Sequence, residues 1–320
     1  MNLVAILEAV DSTLVADMVK TGFFKMNCTS KAIQQILKKH DNAALIHILD
    51  TVPECPVSFC SFAMKVHWTN ATIARQGFRC LCRAFELKPY FEQAMSGEIE
   101  HGIFEMKCLV HGNDVDLVCL LQLIGLHHDA ADLLVAAFCF LKLYCRIERH
   151  RTQVANDAMI MIMYDALVRH EDDAVLVSEV AQAITNISHM NPWTYHRFTP
   201  FLDFYARKME EVLDADTTES AIVLLQNLVF SDDMHEMAIK KGVVESTVEH
   251  MEWNMEDARI VKEGLCLLYN LSCGKWGATG TLRIHECKFD ERVGLEVRKR
   301  YGESHAEIME MMDSLCQFNI

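Results

Sequence analysis

The chain has 320 residues, and its 13 glycines and 5 prolines are about half the usual share for a globular protein. Few helix breakers, together with 51% apolar residues, favour long helices and argue against a β-sandwich, a collagen-like chain or a disordered protein. The formal net charge of −15 disfavours nucleic acid or an anionic membrane as the main partner and favours a basic protein. The longest apolar stretches, Leu117–Leu126 and Leu133–Leu141, are shorter than the about 20 residues of a transmembrane helix, so no membrane insertion is predicted.

The first 60 residues are helical by their apolar pattern but show no clear repeat, and we interpret them as a degenerate N-terminal capping pair. Met1–Val10 lacks a basic start and carries Glu8, which favours an amphipathic first helix over a secretory signal. The 13 cysteines include no CxxC pair and lie mostly in apolar helical runs, where a thiol acts as a small hydrophobic group. These features predict reduced thiols and a cytoplasmic location.

Two related helices are predicted within residues 61–149. Ile73–Phe85 carries Arg83 near its end, and a matching apolar helix carries Lys142, 59 residues later. An extra helix within Pro89–Val110 would account for this long interval. In an alternative register, Val115–Gly125 is the third helix of a short repeat of its own. The sequence leaves both registers open.

Three similar segments follow at nearly constant spacing. Each is an apolar helical run that ends on an asparagine followed by an aliphatic residue, at Asn186, Asn227 and Asn270. The asparagines are 41 and 43 residues apart, and helices with a period in the forties are typical of solenoids. Between them a shorter helix recurs, as in Met234–Lys241, which is followed by a turn at Gly242.

These helix ends, together with the turn at Ile239–Val244, resemble the armadillo repeat family. The resemblance is clearest over residues 150–273 and extends in weaker form over 60–149. It implies an all-α, right-handed α-solenoid of about six armadillo-like repeats in a single domain, residues 1–320. The repeats would occupy 61–273, and residues 274–320 would form a loop and a C-terminal cap. Within that tail, Thr281–Lys288 is predicted to be a short extended arm, and Arg292–Gln317 a capping helix.

The resemblance also implies a concave groove, lined by the third helix of each repeat, in which an asparagine bonds the main chain of a bound peptide. A carboxamide suits this role because it both donates and accepts hydrogen bonds. The asparagine position and its N-terminal equivalents give the predicted groove residues Asn186, Asn227, Asn270, Lys142 and Arg83. The position four residues before each asparagine adds Gln182, Val223 and Cys266. The alternative is that each asparagine bonds the backbone of the neighbouring repeat.

A carboxylate lies near the start of each of the three long helices, at Glu179, Glu219 and Glu263. These glutamates would form an acidic edge of the groove that selects basic side chains, although acidic residues also favour helix N-termini through the helix dipole. Nuclear-import adaptors of the armadillo family carry tryptophan four residues before the asparagine. This chain has none there, so a nuclear-import signal is not the expected ligand.

The sequence carries no enzyme motif. The glycines of Gly274–Gly280 follow a helix rather than a strand and precede no Lys-Ser or Lys-Thr pair, which excludes both nucleotide-binding contexts. His127 and His128, beside Asp129 and Asp132, are interpreted as a break between helices rather than a metal site. No catalytic residue, cofactor or metal is therefore predicted.

The predicted function is a non-enzymatic adaptor that holds a segment of a partner protein, extended or helical and of basic character, in its groove. The alternative is a structural subunit fixed in a large multiprotein assembly through several faces. The two differ in their surface, because a fixed subunit exposes apolar patches outside the groove.

Overall fold

The computed structural model describes Asn42, Leu45, Ile46, Leu49 and the ranges 57–85, 117–189, 192–302 and 304–317. These residues form helices and the turns between them, and no strand occurs among them. The chain divides into two compact units, residues 1–169 and 170–320, which are called the N-terminal unit and the C-terminal unit. The predicted capping pair at residues 1–60 and the predicted helix within Pro89–Val110 lie largely or wholly outside the described residues.

In the N-terminal unit the described helices pack around one pair of long helices. They are α1 (Val57–Val66), α2 (Ala71–Phe85), α3 (Leu117–Leu126), α4 (Ala131–Tyr144), α5 (Glu148–Val154) and α6 (Asp157–Arg169). Helix α2 lies directly against α1 and α4, whereas α3 packs against α4 and α6. The alternative in which Val115–Gly125 is a third helix is therefore wrong, because the third helices α2 and α4 contact each other directly.

In the C-terminal unit four helices lie side by side, in the order α7, α9, α12 and α15. The helices of this unit are α7 (Ala174–Ser188), α8 (Thr199–Lys208), α9 (Ala215–Leu228), α10 (Asp232–Lys240), α11 (Val243–Trp253), α12 (Ala258–Leu271), α13 (Gly277–Glu286), α14 (Leu295–Tyr301) and α15 (Ala306–Cys316). A 3-10 helix, Pro192–Phe198, precedes α8, and a π-helical turn, Asp290–Gly294, precedes α14. No helix among the described residues is long and apolar enough to cross a membrane.

The tail differs from its prediction. The extended arm predicted over Thr281–Lys288 is wrong, because most of that segment belongs to helix α13, which packs against α10, α11 and α12 and buries Ile284. This burial outweighs the β-propensity of an isolated segment. The predicted capping helix is divided into α14 and α15. Helix α15 packs along α12 through its buried apolar side chains, Ile308, Met312 and Leu315.

A capping residue fixes the start of most long helices. The side chains of Asn70, Asp173 and Asp214 each accept a hydrogen bond at 3.0–3.1 Å from the backbone N–H three residues later, and Asp257 accepts from the N–H of Arg259 at 3.0 Å. Such caps satisfy N–H groups that have no partner within the helix. Ala130 holds the same place before α4 without a side-chain cap.

Counting from these caps gives the repeat register. The asparagines of the three repeats all lie 13 residues after the cap, and Arg83 lies 13 residues after Asn70. The prediction that Lys142 occupies this position is wrong by one residue, because 13 residues after Ala130 is Leu143, which is buried. The start of the helix, rather than the spacing between polar residues, sets which side chain faces the core.

A second position, seven residues after the cap, is glycine in two of the helices and has no room there for a side chain. A Cβ atom added at Gly77 of α2 would overlap the side chain of Met64 on α1. A Cβ at Gly264 of α12 would overlap Met251 on α11 in the same way. The same methionine-into-glycine contact in two repeats supports the register, whereas the same position is Val180 in α7 and Ala221 in α9.

The three glycines of Gly274–Gly280 have structural roles. Gly274 adopts φ +67°, a left-handed conformation that favours glycine after a helix. Gly277 and Gly280 lie so close to the end of α12 that a Cβ would overlap the carbonyl oxygens of Ser272 and Leu271 respectively. The motif therefore lets α13 approach the end of α12.

We expect Gly280→Ala to lower the free energy of unfolding by about 2 kcal/mol or more, because backbone atoms cannot yield to the added methyl group as a flexible side chain can. Gly125→Ala is the matched control, since a Cβ there meets only Ile162 Cδ1, at an ordinary 3.7 Å. That change should be neutral or stabilising, because alanine is the better helix former. Urea unfolding of both variants measures the difference, and equal stability would contradict the close approach of α13.

Buried histidines join helices through backbone carbonyls. The closest atoms are His150 Nδ1 and the Tyr144 oxygen at 3.0 Å, His235 Nε2 and the Leu271 oxygen at 3.1 Å, and His250 Nε2 and the Met209 oxygen at 3.0 Å. Burial lowers the pKa of His150 and of His250, against an opposing effect of their backbone hydrogen bonds. Both rings are therefore held neutral in the folded protein at pH 7.

The pKa shift of His250 predicts how stability changes with pH. The unfolded chain takes up a proton near pH 6.5, and the folded protein takes it up only at lower pH. The free energy of unfolding should therefore fall as the pH drops from 6.5 towards 5. His250→Asn should flatten this slope, whereas His196→Asn, at an exposed site, should not. An unchanged slope in the His250 variant would contradict the assignment.

Candidate protein-binding face

The candidate site is a face of the C-terminal unit formed by α7, α9 and α12, which pack side by side. Two positions of each helix, four residues apart, point to the same side, because four residues complete slightly more than one helical turn. All six side chains are half-buried. We call them the asparagine ladder, and they are Gln182 and Asn186 on α7, Val223 and Asn227 on α9, and Cys266 and Asn270 on α12.

Two asparagines of the ladder, Asn227 and Asn270, are only weakly engaged with the described residues. Asn227 Nδ2 donates to the carbonyl oxygen of Val223 in its own helix at 3.2 Å. The Asn270 side chain makes no hydrogen bond to a described residue. Neither Asn227 nor Asn270 forms a hydrogen bond to the backbone of a neighbouring repeat, which is the alternative role that the sequence leaves open for the asparagines. Their carboxamides therefore retain hydrogen-bonding capacity for another molecule.

Glutamine and serine side chains make the contacts between the helices instead. Gln182 Nε2 donates to Ser220 Oγ of α9 at 2.9 Å and to Ser178 Oγ at 3.1 Å. Gln226 Nε2 donates to the backbone oxygen of Glu263 at 2.6 Å and to its Oε2 at 2.9 Å. The sequence analysis did not select Gln226 or Ser220, although Gln226 directly precedes Asn227 and Ser220 directly follows Glu219. Gln182 and Glu263 thus help to hold successive helices together.

The acidic edge of the ladder is partly compensated within the chain. Glu219 Oε2 lies 2.8 Å from Arg259 Nη1 of α12, and Arg259 also contacts Asp257 at 3.0 Å. Burial raises the pKa of the Glu219 carboxyl, an effect that Arg259 opposes. Glu179 lies on the same side of α7 and is half-buried. Arg259, which the sequence analysis did not select, thus already gives Glu219 a basic neighbour.

The negative charge of the protein is concentrated in the unit that carries the ladder. Residues 170–320 contain 27 acidic and 14 basic residues, a formal net charge of −13. Residues 1–169 contain 18 acidic and 16 basic residues, a net charge of −2. The preference for basic partners that the whole-chain charge predicts therefore applies mainly to the C-terminal unit.

The two remaining predicted groove residues belong to the N-terminal unit. Arg83 is exposed, and its Nη2 donates to the carbonyl oxygen of Leu49 and lies 2.9 Å from Cys80 Sγ. Lys142 is half-buried on α4, one residue before the register of the asparagines. The structure does not make either residue part of the asparagine ladder, which lies in the C-terminal unit.

Cys266 of the ladder stays protonated, and the polar residues at the α3–α4 turn contact other protein groups. Burial raises the pKa of the Cys266 thiol to about 11, so it is not a thiolate at neutral pH. His127 Nε2 lies 2.8 Å from the Trp68 oxygen, and Asp132 forms an ion pair with Arg75. Among the described residues no three histidine, cysteine or acidic side chains form a group that could hold a metal ion.

No protein-family model and no curated protein matches the sequence, whereas solved structures do. Two engineered proteins, each 14% identical, align with TM-scores of 0.64 and 0.63, covering 98% and 82% of this chain and 69% and 95% of theirs. A designed armadillo repeat protein in complex with the peptide (KR)4 aligns with a TM-score of 0.57 at 14% identity, covering 82% of this chain and 98% of that protein. The likeness confirms the predicted fold class, an all-α solenoid of armadillo-like repeats.

The ladder predicts a contrast between two sets of variants. The double change Asn227→Ala and Asn270→Ala should alter the melting temperature little, because Asn227 bonds only its own helix, Asn270 makes no hydrogen bond to a described residue, and alanine is the better helix former. Gln182→Ala with Gln226→Ala should lower the free energy of unfolding by about 1–3 kcal/mol, because bonds between helices are lost. A large loss of stability in the asparagine variant would count against the ladder as a binding surface.

Proposed function

We propose that this protein is a non-enzymatic interaction scaffold that holds a segment of a partner protein along the asparagine ladder. The observation that carries the proposal is the ladder itself, with three carboxamides in one register on helices packed side by side. Each offers a donor and an acceptor, which is what the main chain of an extended segment requires. Because the asparagines recur at nearly uniform spacing, one extended segment can form several such hydrogen bonds.

The charge of the C-terminal unit supports a basic segment. Glu179, Glu219 and Glu263 lie beside the ladder within a unit of net charge −13. Arg259 compensates Glu219 only in part, because it shares its guanidinium among Glu219, Asp257 and Asp216. The solved neighbour that binds a (KR)4 peptide has the same fold. The tryptophans of nuclear-import adaptors are absent here, so we propose a basic segment other than an import signal.

Site-specific photo-crosslinking tests this proposal. A benzoylphenylalanine in place of Val223, on the ladder, should crosslink a short segment of one partner when the protein is expressed in its native cell. The same probe in place of Leu282, which is 57% exposed on α13 and lies off the ladder, is the matched control and should not. Mass spectrometry of the crosslink identifies the segment. Equal yields from both positions would contradict a segment bound along the ladder.

A synthetic peptide of the mapped segment then tests the role of the asparagines. Each lost hydrogen bond should weaken binding by about 0.5–1.5 kcal/mol. A variant in which Asn186, Asn227 and Asn270 are all changed to alanine should therefore bind about ten- to two-thousand-fold more weakly. Calorimetric titration of the wild-type and variant proteins measures this change. Unchanged affinity would show that the carboxamides do not contact the segment.

A second function, a subunit fixed in a large assembly, is favoured by one feature of the N-terminal unit. Large apolar side chains are exposed there away from the asparagine ladder, among them Val118 at 65% and Met161 at 71%. Exposed apolar patches mark interaction surfaces. A benzoylphenylalanine at Met161 that crosslinks a stable partner, together with no crosslink at Val223, would favour this function over the scaffold. We also propose a cytoplasmic location, supported by the ten described cysteines, none of which forms a disulfide with another described residue.

A further inference from the structure

Helix α3 of the N-terminal unit is an uncharged helix that lies partly at the surface. None of its ten residues is acidic or basic. Val118, Gln122 and Leu126 are exposed and are spaced by four residues, so they form a ridge along one side of the helix. We call these three residues the α3 ridge. Exposed apolar side chains that are grouped on one face mark an interaction surface.

Two grooves flank the α3 ridge. The groove towards α1 has a volume of about 600 Å³, and the exposed Trp68 lines it together with the ridge. The groove towards α6 has a volume of about 390 Å³ and is mainly apolar, with Met161 and Ile162 of α6 in its wall. Helices pack by inserting the ridge of one into the groove beside another. This face therefore offers both halves of such a packing, a ridge and a groove.

The rim of the groove towards α6 carries charges of both signs. Arg169 Nη1 lies 3.5 Å from Asp129 Oδ1, and Arg169 Nη2 lies 3.4 Å from Asp165 Oδ2. All three side chains are exposed, so they can also pair with groups outside the chain. A rim of both signs is complementary to itself when a second copy is turned about a two-fold axis, because each cation can then meet an anion of the other copy. A strongly charged partner would instead require a rim of one sign.

The distribution of charge between the units favours the same pairing. The N-terminal unit has a net charge of −2 and the C-terminal unit one of −13. Two C-terminal units brought together would repel each other strongly, whereas two N-terminal units would repel each other little. The uncharged ridge thus lies in the unit through which two copies can meet at the lower electrostatic cost.

We propose that the α3 ridge binds a second copy of this chain, by packing into the groove between α3 and α6 of that copy. The contact is two-fold symmetric, so the groove of the first copy receives the ridge of the second. The centre of the interface is apolar, and the side chains of Arg169, Asp129 and Asp165 lie at its edge. The inference goes beyond the proposed scaffold function, because a dimer presents two asparagine ladders and can hold two segments of one partner with increased avidity.

Sedimentation equilibrium of the purified full-length protein tests the proposal. Over a concentration series the wild-type protein should reach twice the chain mass of 36.5 kDa. V118E/M161E should raise the dissociation constant of the dimer about tenfold or more, because its carboxylates would be buried without partners. The control V212E/L282E adds the same charge at exposed positions of the C-terminal unit and should stay within about twofold of the wild type, because exposed charges away from the contact are screened. V118E/M161E should melt as the wild type does, since both positions are exposed and glutamate is a good helix former.

A charge-reversal experiment identifies the surface. V118K/M161K alone should be as monomeric as V118E/M161E, and an equimolar mixture of the two variants should recover dimers, because opposite charges then meet across the contact. A wild-type protein that stays monomeric, a V118E/M161E variant that dimerises like the wild type, or a mixture that stays monomeric would each overturn the inference. N227A/N270A should dimerise as the wild type does, so a failed ladder would leave this result intact. A crosslink from Met161 to a different protein in the cell, with a monomeric purified chain, would overturn the inference in favour of the fixed subunit.

Discussion

The capped start of most long helices is the constraint on which the rest of this structure depends. Once Asp173, Asp214 or Asp257 fixes the first turn, every later position of the helix has a set direction. The seventh position is buried, and in α12 it is Gly264, which leaves room for Met251 of the preceding helix. The thirteenth lies at the open side, where the asparagines are found. One local interaction thus sets both which side chains of a repeat pack inside and which ones lie on the ladder.

Contacts between successive long helices use polar side chains as well as apolar ones. Gln182 reaches Ser220, and Gln226 reaches Glu263, so each helix is bonded to the next beside the ladder. Because these glutamines satisfy the inter-helix contacts, the adjacent asparagines are not needed for them. Because the glutamines hold the helices together, the face can be polar and structurally fixed while the asparagines keep hydrogen-bonding groups that the packing does not need.

Charge distinguishes the two units more than fold does. The same helical positions carry Glu219 and Asn227 in the C-terminal unit and Arg75 and Arg83 in the N-terminal unit. A repeat fold permits this because surface positions of the long helices contribute little to packing and can change sign independently. The exposed charge can therefore differ in sign between the two units while the helical framework stays the same.

The sequence by itself determined the helical class and the spacing of 41 and 43 residues, because apolar periodicity and helix caps are local signals. It also predicted the six groove residues that are called the ladder, and their binding role stays a prediction. Tertiary structure alone decided the rest. The direct contact of α2 with α4 excluded a separate repeat at α3, packing made α13 a helix, and the burial of Leu143 displaced Lys142 from the asparagine register. Arg259 contacts Glu219, and Gln226 contacts Glu263, each across about 40 residues of sequence, so only the packing of the helices brings these side chains together.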